Sequence, residues 1–536
     1  MIIFKILLIL GISWQIAITD GANILGIFTS HSPSHLIVHL SVANVLAERG
    51  HNITVVASSQ PKIAIHKNIT MIVVPLTKEQ EVIMHRSMEK MASNNDGFLT
   101  LIRNFFGSLK IFIDAQADIL KDPRFTKLYE SEDTKYDLVM CGFFMNTFQL
   151  GVAAKFKAPL IVTWTSAAMS MVGRMVGNPS GVEYVPSHTV NMDKGQVKMN
   201  FLQRLKNFLS YTVFDILTFI MDIRMKQIYN DIFQDEDDSF PTLDEMYKNV
   251  SLVFCNSHFS EASIKAQVPA VVEIGGIQVK EKPNRLPENL ETFIENSSEH
   301  GFILFSLGTN VKGSHVKSEI AKRIFNVLSK LKQNIIWKWD DLKHTPGNSS
   351  NILYTKWLPQ DDILAHPYLK LFITHAGKGG IAEAQYHGVP MLAIPIFGDQ
   401  HPNALHMVQA GYGLMVNYFT LSEEVLSSSL QEVLHNPIYR ENVQRFSRLY
   451  RDRPLSAREN VAYWTEYVMR HRGATHMQSP LVHMNFIESS NLDVYVVILL
   501  ILYIMIVICR CGFLFVKRKV CDKKCKKNSK IKNKMN

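Results

Sequence analysis

The stretch from Phe372 to Gln400 constrains the fold most. An apolar strand (Leu371 to Thr374) meets a turn broken by glycines, a helix opens near Gly379, and a second apolar strand (Met391 to Pro395) follows. A helix start leaves backbone N–H groups unpaired and carries the positive end of the dipole, which makes it a seat for an anion. Gly377, Gly379 and Gly380 have no Cβ, so the backbone there can close on a bulky anionic group. Glu383, one turn into the helix, can accept two hydroxyl hydrogen bonds, and Asp399 with Gln400 offers another acceptor pair past the second strand. Two strand ends meeting one helix N-terminus is how an open α/β sheet holds a nucleotide.

The same rhythm fills the chain. Apolar runs at Asn23 to Phe28, Ile53 to Ala57, Ile69 to Val74, Tyr136 to Met140, Leu160 to Thr163, Leu252 to Cys255 and Val272 to Ile274 alternate with helical stretches. Such alternation predicts the α/β class with a doubly wound parallel sheet. Gly275 to Pro287, rich in Gly, Pro and charge, suits a linker between domains. A second series begins at Phe302, with strands at Ile303 to Leu307, Ile335 to Trp339, Ile352 to Trp357 and the two already named. Asn200 to Tyr229 is a long helical pattern with a very apolar middle. Periodicity leaves three roles open for it: the wall of a pocket for greasy molecules, a membrane-surface helix, or a core helix.

His35 lies where the first strand hands over to its helix, at the carboxyl edge of the sheet. A histidine there is either an inconsequential helix-start residue or a functional group. His35 and His39 share a helix face, but no third ligand accompanies them, so no metal is expected. Trp357 can stack on a planar base and Gln360 can bond its polar edge; a packing Trp is the plainer alternative.

With 536 residues the chain has room for two ordinary domains plus extras. The formal charge of +9 points toward nucleic acid only until it is located. The last twenty residues hold ten Lys/Arg against one acid, Asp522, which accounts for the whole surplus. No basic groove remains, and nucleic acid is excluded as a partner. The six cysteines are scattered without a disulfide framework, and Cys141 and Cys255 in apolar strands read as buried small hydrophobes.

The ends set the compartment. Met1 to about Asp20 has a lysine, an apolar run and small residues near Ala17 to Ala22, the pattern of a secretory signal peptide. Val494 to Val516 is long enough to span a bilayer, with Arg510 near its polar face and a basic cluster from Lys517 onward. By the positive-inside rule that cluster is cytosolic, which makes the body lumenal in a type I arrangement. Asn-x-Ser/Thr sites fall at Asn52, Asn68, Asn249, Asn296 and Asn348.

The Phe372–Gln400 run, with Trp357-Leu358-Pro359-Gln360 upstream, closely resembles the signature of the UDP-glycosyltransferases, the family that includes the UDP-glucuronosyltransferases. The spacing of the His, second Gly, Glu, two Pro and Asp-Gln matches over the full motif. The resemblance implies a GT-B fold: two doubly wound Rossmann-like domains facing a cleft, plus a C-terminal transmembrane helix. Its layout would be a signal peptide over 1–21, an acceptor-binding domain over 22–280 and a UDP-sugar-binding domain over 281–450. A return helix and juxtamembrane segment over 451–490, a transmembrane helix over 494–516 and a cytosolic tail over 517–536 complete it. His35 resembles the family's catalytic base through Ser34-His35, sixteen residues before His51 in Arg-Gly-His. Thr309 resembles a diphosphate contact, and His375 with the amides around Gly377, Gly379 and Gly380 would meet charge growing on that diphosphate. Glu383 would hold the ribose, and Asp399 and Gln400 the sugar hydroxyls. UDP-glucose or UDP-glucuronate is a co-substrate, with no cofactor and no metal. The acceptor is a small lipophilic molecule, the protein is membrane-anchored in the endoplasmic reticulum with a dilysine-like end at Lys532 to Asn536, and a homo-oligomer is compatible.

Three departures stand out. Relatives carry a carboxylate after the equivalent of Tyr136-Asp137-Leu138, where it orients the catalytic His; here no acid follows Asp137, and Gly142 and Thr147 occupy the expected positions. Without it His35 lacks the partner that fixes its tautomer and stabilises the imidazolium, although Asn146 is placed to fix a tautomer. Ala376 and Gly379 stand where many members have Gly and Asn, and Lys378 is an added cation that faces phosphate or water. Cys255 stands where glucuronate users tend to carry Arg, which favours glucose. An inverting transferase is the expectation; a transferase-like binder without efficient turnover is the alternative that the missing acid raises.

Overall fold

A computed structural model describes residues 21–93, 98–130, 134–187, 189, 190, 192, 196–234, 239–261, 265–295 and 299–532. Residues 1–20 of the expected signal peptide, the Asn296 site and the last four residues lie outside them. One compact unit extends to Ser479 and a second begins at Pro480.

The first unit contains two parallel sheets. Strands β1 (Asn23–Phe28), β2 (Asn52–Ala57), β3 (Ile69–Val73), β4 (Leu138–Gly142), β5 (Leu160–Trp164), β6 (Val250–Cys255) and β7 (Val271–Glu273) build the first, in the order β3-β2-β1-β4-β5-β6-β7. Strands β8 (Phe302–Ser306), β9 (Asn334–Lys338), β10 (Ile352–Thr355), β11 (Leu369–Thr374), β12 (Met391–Ala393) and β13 (Gly413–Met415) build the second, in the order β10-β9-β8-β11-β12-β13. Every residue of β4, β5, β6 and β8 is buried, as expected of parallel strands covered on both faces. In both sheets the order reverses at one point, between β1 and β4 and between β8 and β11, and ligands of open α/β sheets sit outside the strand ends there.

Several boundaries differ from those the sequence predicts. β4 starts at Leu138, because the Asp137 carboxylate accepts from the Asn23 N–H at 2.8 Å and holds Asp137 at the sheet's edge. β10 stops at Thr355, which leaves Trp357 in the loop beyond it. β13 is only three residues long, between turns at Gly411 and Asn417, and carries no periodicity to detect. The return helix expected from 451 onward starts later: Arg451 ends the preceding helix, the chain breaks around Pro454, and Ser456 caps a new helix, Ala457–His471, reciprocally with Glu459.

That last helix returns to the first sheet. Val461 and Val468 are fully buried in its core, Arg49 bonds Glu466 at 2.8 Å, and Arg458 pairs with Glu48. In the second unit the helix Leu492–Lys532 is exposed throughout its apolar stretch, and 492–524 is long and apolar enough to cross a bilayer.

Candidate active site

The first switch point sets His35. β1 ends at Phe28, Ser32 takes the N-cap position, and Pro33 opens the helix Pro33–Glu48, where its missing N–H costs nothing. His35 therefore sits in the first turn, half-buried, edge-on to Phe144 with ring centroids 4.9 Å apart and 6.5 Å from Trp164. Its Nδ1 lies 3.1 Å from Ser30 Oγ. Burial lowers its pKa to about 4, and among the described residues no carboxylate offsets that. The imidazole is neutral at physiological pH, and when Nδ1 donates to Ser30 the Nε2 lone pair is free to take a proton.

The polar residues after β4 do other work. Asn146 donates to Thr29 Oγ1, Gln116 Oε1 and the Gly142 carbonyl and accepts from the Phe144 N–H, so its amide is spent on the loop and is not His35's orienting partner. A Cβ at Gly142 would lie 2.8 Å from His39 Nε2, and the Thr147 hydroxyl accepts from Tyr247 at 3.0 Å. His39 itself is fully buried, stacked on Phe28 and bonded to Thr163 at 2.9 Å.

The second switch point sets the glycine turn. His375 directly follows β11, and its ring is gripped by two glycines: a Cβ at Gly308 would stand 2.4 Å from Cε1 and one at Gly377 2.4 Å from Nε2. Gly308 also has φ +80°, so any other residue there would be strained as well as blocked. Burial, then the nearby Lys338 ammonium, lowers the His375 pKa to about 4. Gly377 is the N-cap of the helix Lys378–His387, and no side chain caps its first N–H groups. A Cβ at Gly379 would meet nothing within 4 Å, so that position does not require glycine and opens on free space.

Gln360 and Glu383 are brought together: Gln360 Nε2 donates to Glu383 Oε2 at 2.6 Å. Burial and then Asp361 raise the Glu383 pKa to about 8, which leaves it mostly protonated at neutral pH. The two free acceptor oxygens expected from the sequence thus become one engaged oxygen and one hydroxyl-type group. Trp357 is 39 % exposed, with Lys338 Nζ 4.7 Å and Lys62 Nζ 5.8 Å from its ring centre. Lys338 Nζ also donates to the Gly308 carbonyl at 2.7 Å, and burial lowers its pKa to about 8.

The acceptor pair at the end of β12 divides. Asp399 is exposed and accepts from Asn403 Nδ2 at 2.7 Å, while the same amide reaches the Ala376 carbonyl at 3.1 Å. Gln400 is buried, and its Oε1 accepts from the Ile396 and Phe397 N–H groups, so it braces the loop with that atom. Lys378 neither faces water nor stands free for phosphate: it pairs with Glu261, which follows β6 and is 5 % exposed.

These groups form a continuous chain of contacts across the two sheets. Ser32 Oγ donates to Asn310 Oδ1 at 3.2 Å, which ties the start of the His35 helix to the loop carrying Gly308 and Thr309. The linker adds to this: Gln278 Nε2 reaches the Gly379 carbonyl, the Lys280 ammonium bonds Asp362 at 2.5 Å, and the Asn284 N–H bonds Asp362 at 2.7 Å. Ser30, Lys338, Asn403 and Glu261 are the residues that sequence reasoning missed. Only Ser30, at the carboxyl end of β1 beside His35, carried a positional signal.

Two switch points facing one another through such contacts define a GT-B glycosyltransferase. The family model for UDP-glucoronosyl and UDP-glucosyl transferase matches residues 24–527, and this chain belongs to that family. Among curated relatives, a UDP-glucosyltransferase 2 of Dactylopius coccus is 32% identical over 97% of this chain and 96% of its own length. UDP-glucuronosyltransferase 2B15 of Homo sapiens is 31% identical over 92% and 93%. A UDP-glucosyltransferase from Polygonum tinctorium capable of glucosylating indoxyl, solved in complex with 3,4-dichloroaniline, shares the fold. Its TM-score is 0.56 at 16% identity, covering 84% of this chain and 99% of that one.

Proposed function

We propose that the protein transfers a hexose from a UDP-sugar, with inversion, to the hydroxyl group of a small lipophilic acceptor. The observation that carries this is the Ser32–Asn310 contact, which brings the His35 turn to the Gly308–His375–Gly377 cradle. His35 Nε2 would take the acceptor's proton as its oxygen attacks the anomeric carbon from the face opposite the nucleotide. The transition state resembles an oxocarbenium ion, with negative charge growing on the departing diphosphate. The uncapped amides of the Lys378 helix and the ammonium of Lys338 would meet that charge, with Thr309 beside them, and no metal is required. Trp357 would stack on the uracil, Gln360 and Glu383 would hold base edge and ribose, and Asp399 and Gln400 would face the sugar. Phe144 and Trp164 beside His35 suit an aromatic acceptor.

Glucose is the favoured sugar. Cys255 is buried without charge at the end of β6; the Lys265 beside it donates to the Ala168 carbonyl, and Lys378 is already paired with Glu261. Membership of a transferase family speaks against a binder without turnover. The signal-peptide pattern, the apolar helix and the basic tail support a type I protein of the endoplasmic reticulum membrane with its body in the lumen. The test is transfer of labelled sugar by microsomes expressing the chain, offered UDP-glucose or UDP-glucuronate with a panel of phenols. Preferential glucoside formation is expected; preferential glucuronide formation overturns the donor assignment.

A further inference from the structure

The helix Phe201–Phe233 is turned inside out along its first two-thirds. Phe201, Leu205, Phe208, Ile216, Phe219 and Ile223 lie on one face at helical spacing, each between 46% and 68% exposed. The opposite face buries polar groups. Asn207 is fully buried, donating to the Val182 and Val185 carbonyls and accepting from the Ser187 N–H, and Thr218 is 5% exposed. The last turns of the same helix are ordinary: Met225, Ile228, Tyr229 and Phe233 are buried and Gln227, Asn230 and Asp231 face out. The inversion is therefore confined to 201–223, about 35 Å of helix.

Charge on the stripe's borders indicates what covers it. At 3.6 residues per turn, Arg204 and Lys206 fall on its two edges, and Lys198 precedes the helix. All three are exposed, and among the described residues none meets a carboxylate at ion-pair distance. The two acids on the Arg204 edge, Asp215 and Asp222, both turn to the Arg174 guanidinium, Asp215 also to Ser170. A straight apolar stripe with cations on both edges fits a planar surface that is apolar inside and anionic at its rim.

We propose that the 201–223 face lies in the surface of an anionic bilayer, with Arg204 and Lys206 at the headgroups. This rests on Leu492–Lys524 acting as a membrane span, which holds the rest of the chain beside a bilayer. A lipid-seated helix also gives lipophilic acceptors a short route, because it packs on the 147–150 turn that follows the His35-side loop.

The test uses the full chain with Cys509, Cys511, Cys521 and Cys525 replaced by serine, reconstituted in vesicles of phosphatidylcholine with or without phosphatidylserine. Nitroxide labels are placed one at a time through Phe208→Cys, Phe219→Cys, Gln227→Cys and Leu499→Cys. Collision with oxygen relative to a water-soluble nickel chelate is expected to be several-fold higher at 208 and 219 than at 227. Adding Arg204→Glu and Lys206→Glu is expected to shrink that ratio in vesicles containing phosphatidylserine; an unchanged ratio overturns the anionic-headgroup assignment. If 208 and 219 behave like 227 while 499 reads lipid, the docking proposal alone fails. If 499 also reads water, the membrane-span reading fails first and the proposal with it. Spin–spin broadening at 219 that grows with protein density means a second copy covers the stripe, and also overturns it.

Discussion

Ser30 Oγ stands 3.1 Å from Nδ1 of His35, and it is the hydrogen-bond partner the structure gives this imidazole. A hydroxyl can fix the tautomer but cannot stabilise the imidazolium as a carboxylate does. Ser30→Ala should lower kcat about fivefold, the worth of a net hydrogen bond near 1 kcal/mol, with KM and UDP affinity unchanged. Steady-state kinetics check it, and an unaltered kcat would remove Ser30 from the mechanism. Gly142→Asp, by contrast, should not raise activity, since its side chain would run into His39.

Lys338 supplies a cation whose charge is lost as pH rises through about 8. UDP affinity should therefore be full below pH 7 and weaken above pH 8. Lys338→Met should cost about tenfold in affinity and abolish the dependence. Calorimetric titration of UDP at several pH values checks both; a flat profile in the parent protein contradicts the role.

Glu261 and Lys378 pair across the two sheets with the carboxylate nearly buried. Lys378→Ala leaves that charge without its partner and should destabilise by about 3–5 kcal/mol, whereas adding Glu261→Gln should restore most of the loss. Denaturant midpoints of the single and double variants measure the difference.

Ala376 has φ +65°, the left-handed region that an L residue adopts at a cost of about 1–2 kcal/mol. Ala376→Gly relieves this strain but gains chain entropy in the unfolded state, so the net stabilisation should be about 1 kcal/mol or less. Thermal unfolding would show an unchanged or slightly raised Tm; a clear drop contradicts the strain.

Burial lowers the folded pKa of His31, His35 and His375 to about 4 and of His39 to about 3. Below pH 6.5 the unfolded chain binds protons that the folded chain refuses, so stability falls as pH drops from about 6.5 toward 4. For the fully buried His39 each such pH unit costs about 1.4 kcal/mol. His39→Asn should flatten the curve of unfolding free energy against pH, and an equally steep curve would falsify the assignment.

Much of this was legible in the sequence because parallel strands buried on both faces read as continuous apolar runs. The ends of β1, β5, β8 and β11 lie within two residues of those apolar runs. The His375–Gly377 turn was legible because only glycine tolerates the close approach of the ring. What the sequence hid depends on contacts between distant residues: the Lys378–Glu261 pair spans 117 positions and the Ser32–Asn310 bond 278. No local pattern encodes them. The outward apolar face of Phe201–Phe233 was hidden for a different reason, since periodicity shows that a stripe exists and not which way it points.

The most direct test of the central claim compares the full-length protein with His35→Ala in membranes, measuring UDP binding and sugar transfer to a reactive phenol side by side. UDP affinity is expected to be equal in both, with transfer reduced about 10²-fold or more in the variant and the product of inverted anomeric configuration. Equal transfer by the two proteins, or loss of UDP binding together with transfer, would contradict a mechanism that divides base and nucleotide cradle between the two sheets.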